Sequence, residues 1–263
     1  MKAGINVWTW GTQSKAQFEQ ALREVSDLGY QAVENIGSIG DLYEDSPEEF
    51  DALLARYDVE FVCGYLHLTG DDVADDARAG RCVRFLQRHG ARVMNIQAAG
   101  RPQGGPTQAD LEETASRVAR ISQWAREADL IPCLHPHYNT IIERENELAY
   151  MMEKLAPGLL SLTLDTAHTV LGGMDPVATF TRYAERVRYV HMKDIAPVRD
   201  TSTPWWSNFR ELGRGTVDFP AVVNVLKAVG FDGVLCVELD QPRICGYKSA
   251  AISRQYLRDE LGV

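Results

Sequence analysis

The chain has 263 residues, 45% of them hydrophobic, and a net charge of −10 at pH 7. That length and apolar content suit one sizeable core, and no Gly/Ser/Pro-rich break divides it, so a single domain is expected. The acidic balance, with no Lys/Arg cluster interleaved with aromatics, argues against a protein that grips nucleic acid by its phosphates.

Residues 3–8 read as a strand. Residues 15–28 follow with Phe18, Leu22, Val25 and Leu28 at helical spacing, and Gly29 suits a C-cap. Residues 30–34 form a second strand ending in Glu34. Ser46-Pro47-Glu48-Glu49 starts a helix, with Ser46 as N-cap, Pro47 at the first position and Glu49 at the third. Residues 59–66 are a third strand closed by His67. A helix carrying Val83 and Leu86 ends near His89, read as a solvated cap. Residues 91–97 make the fourth strand, and a Gly/Pro loop (100–106) leads to a helix from 107 to about 128.

The stretch 130–143 opens as a fifth strand and runs into a loop. On an extended chain alternate side chains share a face, so Cys133, His135 and His137 point one way. A helix spans roughly 144–155, and the sixth strand is 160–165. Asp175-Pro176 starts a short helix, and 187–191 is the seventh strand. Residues 195–215 form a loop long enough to suggest a lid. A helix from Asp218-Phe219-Pro220 to Lys227, a strand at 233–238 and a helix from about 247 to 261 complete the chain.

Eight strands, each followed by a helix, predict an α/β fold with a parallel sheet. At this length the expected form is a closed (β/α)8 TIM barrel in one domain. An open doubly wound sheet is the runner-up, but it wants a Gly-rich loop after the first strand, and Trp8-Thr9-Trp10-Gly11 is not one. No run reaches the ~18 apolar residues of a membrane span. The N-terminus reads as a strand and not as a signal peptide. The five cysteines show no zinc-finger spacing and read as reduced thiols. Together these features predict a cytoplasmic protein with no membrane partner.

In such barrels the active site lies at the C-terminal strand ends. Glu34, His67, Gln97, His135, His137, Asp165, His191 and Glu238 all fall there. Glu143, Asp165, His191 and Glu238 make a hard, oxygen-rich set that suits Mn2+ or Mg2+, and also Co2+ or Fe2+. The plain alternative is that each acid caps a helix or pairs with an Arg. Lys193 follows His191 by two and faces the same way, and His168 follows Asp165 by three. Both are candidates for catalysis with Glu143 and Glu238. His67, His135, His137 and Glu34 are candidate substrate contacts. Trp10, with Trp8, Trp205 and Trp206, is placed to wall a sugar-sized pocket. Gly213-Arg214-Gly215, with Arg210 nearby, is a weak candidate phosphate cradle.

At His135-Pro-His-x-x-Thr-x-x-Glu143, Leu164-Asp-Thr-x-His168, Gly173-x-Asp-Pro176, His191-x-Lys-Asp194 and Glu211-Leu-Gly-x-Gly-x-Val-Asp-Phe219 the chain resembles the xylose isomerase-like barrels. These are the sugar phosphate isomerases and epimerases, and the inosose dehydratases are closest in motif. The likeness covers roughly residues 130–240. It implies a single divalent ion held by Glu143, Asp165, His191 and Glu238, with Mn2+ the first choice and Co2+, Mg2+, Fe2+ or Zn2+ the others. It also implies enolisation of a keto-sugar, keto-polyol or inosose. Expulsion of a β-hydroxyl then gives dehydration, and reprotonation gives isomerisation or epimerisation. A homodimer is expected by analogy. Readings of other classes are an endonuclease IV-like DNA repair enzyme and a non-catalytic sugar-binding barrel.

Overall fold

Parallel strands roofed by helices are buried on both faces, and their sequences show it. In the computed structural model, which describes residues 1–35, 37–197 and 200–263, the Val93–Gln97 and Ser161–Asp165 strands are buried at every residue. The chain runs β1 (Lys2–Asn6), α1 (Lys15–Asp27), β2 (Ala32–Glu34), α2 (Ser38–Leu42), α3 (Pro47–Tyr57), β3 (Glu60–His67), α4 (Asp72–Arg88), β4 (Val93–Gln97) and α5 (Gln108–Glu127). It continues β5 (Ile131–Leu134), α6 (Glu145–Lys154), β6 (Ser161–Asp165), α7 (Thr166–Leu171), α8 (Pro176–Tyr183), β7 (Val187–Met192), β8 (Asp194–Ile195), β9 (Phe209–Arg210), α9 (Phe219–Ala228), β10 (Val234–Val237) and α10 (Gly246–Leu261). Eight parallel strands close a barrel in the order β1-β10-β7-β6-β5-β4-β3-β2, and β8 and β9 form a separate antiparallel pair.

Four details depart from the sequence reading. The first strand stops at Asn6, whose side chain accepts from the Trp8 N–H and turns Val7–Trp10 into a 3-10 turn. Ser46 makes no N-cap bond, because its hydroxyl accepts from Lys15 instead (2.7 Å). α2 and α7 are additional helices, too short to leave a periodic pattern. The segment 195–215 is not a plain loop. It carries the end of the β8/β9 pair and a 3-10 turn at Trp205–Asn208, while its residues 198 and 199 lie outside the described ones.

The chain divides into two compact units, residues 1–62 with 190–263 and residues 63–189. In the first, β1 lies in register with both neighbours: Gly4 opposite Ala32 and Cys236, and Asn6 opposite Glu34. A Cβ on Gly4 would lie 2.5 Å from Val234 Cγ1, so glycine keeps this strand close to β10. Phe18, Tyr43, Phe50 and Phe61 form an aromatic core, with Phe18 and Phe50 stacked at 5.5 Å. Such pairs contribute about 0.5–1.5 kcal/mol each beyond area burial.

In the second unit, β4 sets β5 (Ile96 opposite Leu134) and β5 sets β6 (Leu134 opposite Leu162). From that register β6 runs three residues past Leu162 to Asp165 while β5 stops at Leu134, so Asp165 stands beside the residues that follow β5. α4 and α5 are tied by Arg117 to Asp72 (2.8 Å) and Arg120 to Asp76 (2.8 Å). His89 is not the solvated cap expected. It ends α4 half-buried against Phe85, ring centroids 4.5 Å apart.

Candidate active site

On residues 63–189 the polar groups gather beyond β5 and β6. β5 ends at Leu134 because Pro136 has no N–H to extend a ladder. His135 and His137 therefore lie past the strand, yet their rings stay neighbours (5.6 Å). The chain then doubles back. Thr140 donates from both N–H and hydroxyl to the His137 carbonyl (3.3 and 2.7 Å), and Asn139 takes φ 63°, a left-handed conformation that Asn tolerates. The His137 N–H closes the turn on the Ile142 carbonyl (3.0 Å). This turn returns Glu143 to the strand end, where its Oε2 accepts from the Asn139 N–H (2.8 Å).

Arg101 clamps that turn. Its N–H donates to the Asn139 carbonyl (3.0 Å) and its guanidinium to the Thr140 carbonyl (3.2 Å). The same guanidinium grips Glu147 with two bonds (2.7 and 3.0 Å) and lies 3.8 Å from Glu143. Burial raises the Glu147 carboxyl. Hydrogen bonds from Arg101 and from the N–H groups of Glu143 and Arg144, with the Arg101 charge, outweigh it and hold the group below the usual Glu value.

Asp165 ends β6 and N-caps α7, accepting from the His168 N–H (2.7 Å). The Asp-x-x-His spacing is thus a cap and its N3 residue. It sets His168 Nε2 4.0 Å from Asp165 Oδ2. His168 Nδ1 accepts from the Tyr138 N–H (3.4 Å), which leaves Nε2 as the ring nitrogen able to donate. His168 packs on His137 (3.6 Å between centroids) and lies 6.0 Å from His135. Tyr65 donates to Gln97 Oε1, and its hydroxyl meets His135 Nδ1 at 2.9 Å. His67 ends β3 and is exposed. Burial pushes the Cys133 and Cys82 thiols up to about 12, which leaves both inert at neutral pH.

On residues 1–62 and 190–263 a second group centres on His191, fully buried in β7. Its Nε2 lies 2.7 Å from Glu34 Oε2, and its Nδ1 lies 3.1 Å from Glu238 Oε2. The Cys236 thiol also faces Glu34 Oε2 (3.3 Å). Glu34, Cys236 and His191 each offer a potential ligand atom within 4.8 Å of the others. Lys193, 1% exposed, pairs with Asp240 (2.8 Å) and Glu238 (3.1 Å), and its ammonium lies 4.5 Å from the centre of the Phe209 ring. A buried ammonium needs such partners. The Glu238 N–H bonds to the Met192 carbonyl (3.1 Å), which ties this acid to the end of β7.

The proposed phosphate cradle does not hold. Asp194 Oδ2 accepts from the Gly215 N–H (2.8 Å) and Oδ1 from the Val217 N–H (3.1 Å), so the loop's amides already serve a carboxylate. Gly215 is required there, since a Cβ would lie 2.3 Å from Asp194 Oδ1. Arg210 donates to the carbonyls of Ser207 and Phe209 (3.0 and 2.7 Å). Trp10 is half-buried, and its indole N–H bonds Glu24 (2.6 Å).

Sequence reasoning missed Arg101, Glu147, Tyr65, Cys236 and Asp240. Cys236 and Asp240 carried a signal, standing two residues either side of Glu238 on its face of the chain. Arg101 and Glu147 carried none, being 46 positions apart.

A family model described as xylose isomerase-like TIM barrel matches residues 22–259. Among curated relatives, an inosose dehydratase of Geobacillus kaustophilus (strain HTA426) is 26% identical, covering 91% of this chain and 86% of that protein. Among solved structures, the probable 3-DHS dehydratase AsbF involved in petrobactin synthesis from Bacillus anthracis superposes with TM-score 0.84 at 15% identity, covering 99% and 100% of the two chains. The IOLI protein with a binding zinc atom gives TM-score 0.83 at 14% identity, covering 98% and 97%. No described helix is long and apolar enough to cross a membrane.

Proposed function

The chain belongs to the xylose isomerase-like TIM barrel family, and from that premise we propose that it enolises a keto-polyol or keto-sugar and expels water from it. An inosose is the leading substrate, because the curated relative from Geobacillus kaustophilus is an inosose dehydratase. Isomerisation or epimerisation of a ketose is the alternative fate of the same intermediate.

The observation that carries the proposal is the character of the buried acids and bases. Glu143 is 6% exposed, Asp165 1% and His191 0%, and none sits in an apolar setting without polar neighbours. Three carboxylates and one imidazole, counting Glu238, are donor types that fit a hard or borderline divalent cation. Mn2+ is the first choice, ahead of Co2+, Mg2+, Fe2+ and Zn2+. Such an ion, when bound, supplies Lewis acidity to a carbonyl and a neighbouring hydroxyl.

The chain's own groups supply the proton chemistry. Glu143 or Glu238 takes the proton from the carbon beside the carbonyl, and the electron pair moves to the carbonyl oxygen. Lys193, held charged by Asp240 and Glu238, or His168 in its protonated form delivers a proton to the departing hydroxyl, which leaves as water. His135 and His137 orient the polyol, with the Tyr65 contact fixing the His135 ring.

Metal content tests the reading. Metal-free protein reloaded with Mn2+ is expected to hold one ion per chain by elemental analysis, and Asp165→Ala to hold less than a tenth of that. Three ions per chain after the same metal-free protein is reloaded with Zn2+ would favour an endonuclease IV-like site and overturn the proposal.

A further inference from the structure

Glu34 stands apart from the other strand-end acids. Its carboxylate is fully buried in residues 1–62 and 190–263, and it faces His191 and Cys236. We infer that Glu34 is a positioning residue: it holds the His191 proton on Nε2 and so makes Nδ1 the nitrogen that ligates the divalent ion. This rests on the metal reading above.

An imidazole ligand binds through one nitrogen, and the group bonded to the other decides which one. Here the two sides of the ring are chemically unequal. Glu34 Oε2 lies 2.7 Å from Nε2, a short charge-assisted distance, while Glu238 Oε2 lies 3.1 Å from Nδ1. Glu238 belongs to the proposed ligand set, so the Nδ1 side is where an ion would sit. Glu34 is then left with the orienting role. It is also the carboxylate tied down elsewhere, because the Cys236 thiol faces the same oxygen at 3.3 Å. β1 explains how the pair meets. It runs between β2 and β10 in the strand order, with Gly4 in register with Cys236 on one side and Ala32 on the other. Glycine there adds no side chain to the strand between them.

The test uses the whole chain and two readouts besides turnover. The first is the nitrogen-15 pattern of the His191 ring in protein loaded with a diamagnetic divalent ion, Mg2+ or Zn2+, assigned with His191→Gln. The wild type is expected to carry its proton on Nε2, and Glu34→Ala to lose that preference. The second is Mn2+ affinity, read from the free-ion electron paramagnetic resonance signal. Glu34→Gln, nearly isosteric, is expected to weaken Mn2+ by about 10- to 100-fold with one site retained. Thermal melting of the metal-free variants checks that each is folded, and Glu34→Gln serves if Glu34→Ala is not. A proton on Nδ1 in the wild type, or unchanged Mn2+ affinity in a folded Glu34→Gln, would overturn the inference. A wild type that binds no divalent ion would sink the metal reading, while the ring pattern would still judge the hold of Glu34 on His191.

Discussion

Arg101 shows how one residue outside the recognisable motifs can govern them. It binds the turn that carries Glu143 and neutralises Glu147, whose carboxylate is 2% exposed. Removing one partner of a buried pair typically costs about 3–5 kcal/mol, because the other charge stays buried and uncompensated. Arg101→Met is therefore expected to lower stability by that order in urea denaturation. The pH dependence has a definite sign. The Glu147 pKa is lowered by folding, so its stabilisation is present above its unfolded value and is lost as pH falls through its folded one. Wild-type stability should thus fall below the usual Glu value of 4.5, and Arg101→Met should flatten that acid limb. Little of this was legible. Glu147 reads in sequence as one of several acids at a helix start, and its partner is 46 positions away. The pair of Glu34 and His191 is separated by 157 positions.

At the scale of elements, α7 carries more of the site than its six residues suggest. Its N-terminus places His168 over the Asp165 cap, and its C-terminus ends at Gly172 against the Glu143 backbone. A Cβ on Gly172 would lie 2.2 Å from the Glu143 carbonyl oxygen, although φ is an ordinary −72°. Gly172→Ala therefore tests space alone. Overpacking of this kind costs about 1–3 kcal/mol, and here it must displace Glu143. The variant should melt modestly lower and lose kcat/KM by at least ~10-fold, since small misplacements of reacting groups are costly. A lower melting point with unchanged kcat/KM would argue that Glu143 plays no part. The long strands and helices were readable because period and punctuation agree in them. α7 was not, because Asp165 both ends a strand and caps a helix. The turn 137–143 was not, because it depends on one left-handed Asn139.

At the scale of the molecule, the eight strand-helix units were legible in full, and the strand order follows chain order around the barrel apart from closure. The reason is physical. Parallel strands buried on both faces read as apolar runs, so a His or acid at their ends stands out. Those ends supply Asp165, Glu238, His135 and, with Lys193 beside it, His191. Substrate identity was not legible, because it depends on pocket shape made by loops of ordinary composition.

Enolisation followed by loss of water can be tracked directly by incubating Mn2+-loaded protein in D2O with inososes and common ketoses, then removing the metal and examining each compound by mass spectrometry and NMR. Deuterium is expected at the carbon beside the carbonyl, together with loss of a hydroxyl and a new enol or diketone signal for an inosose. Every compound returned without deuterium and chemically unchanged, from protein shown to hold its ion, would contradict it.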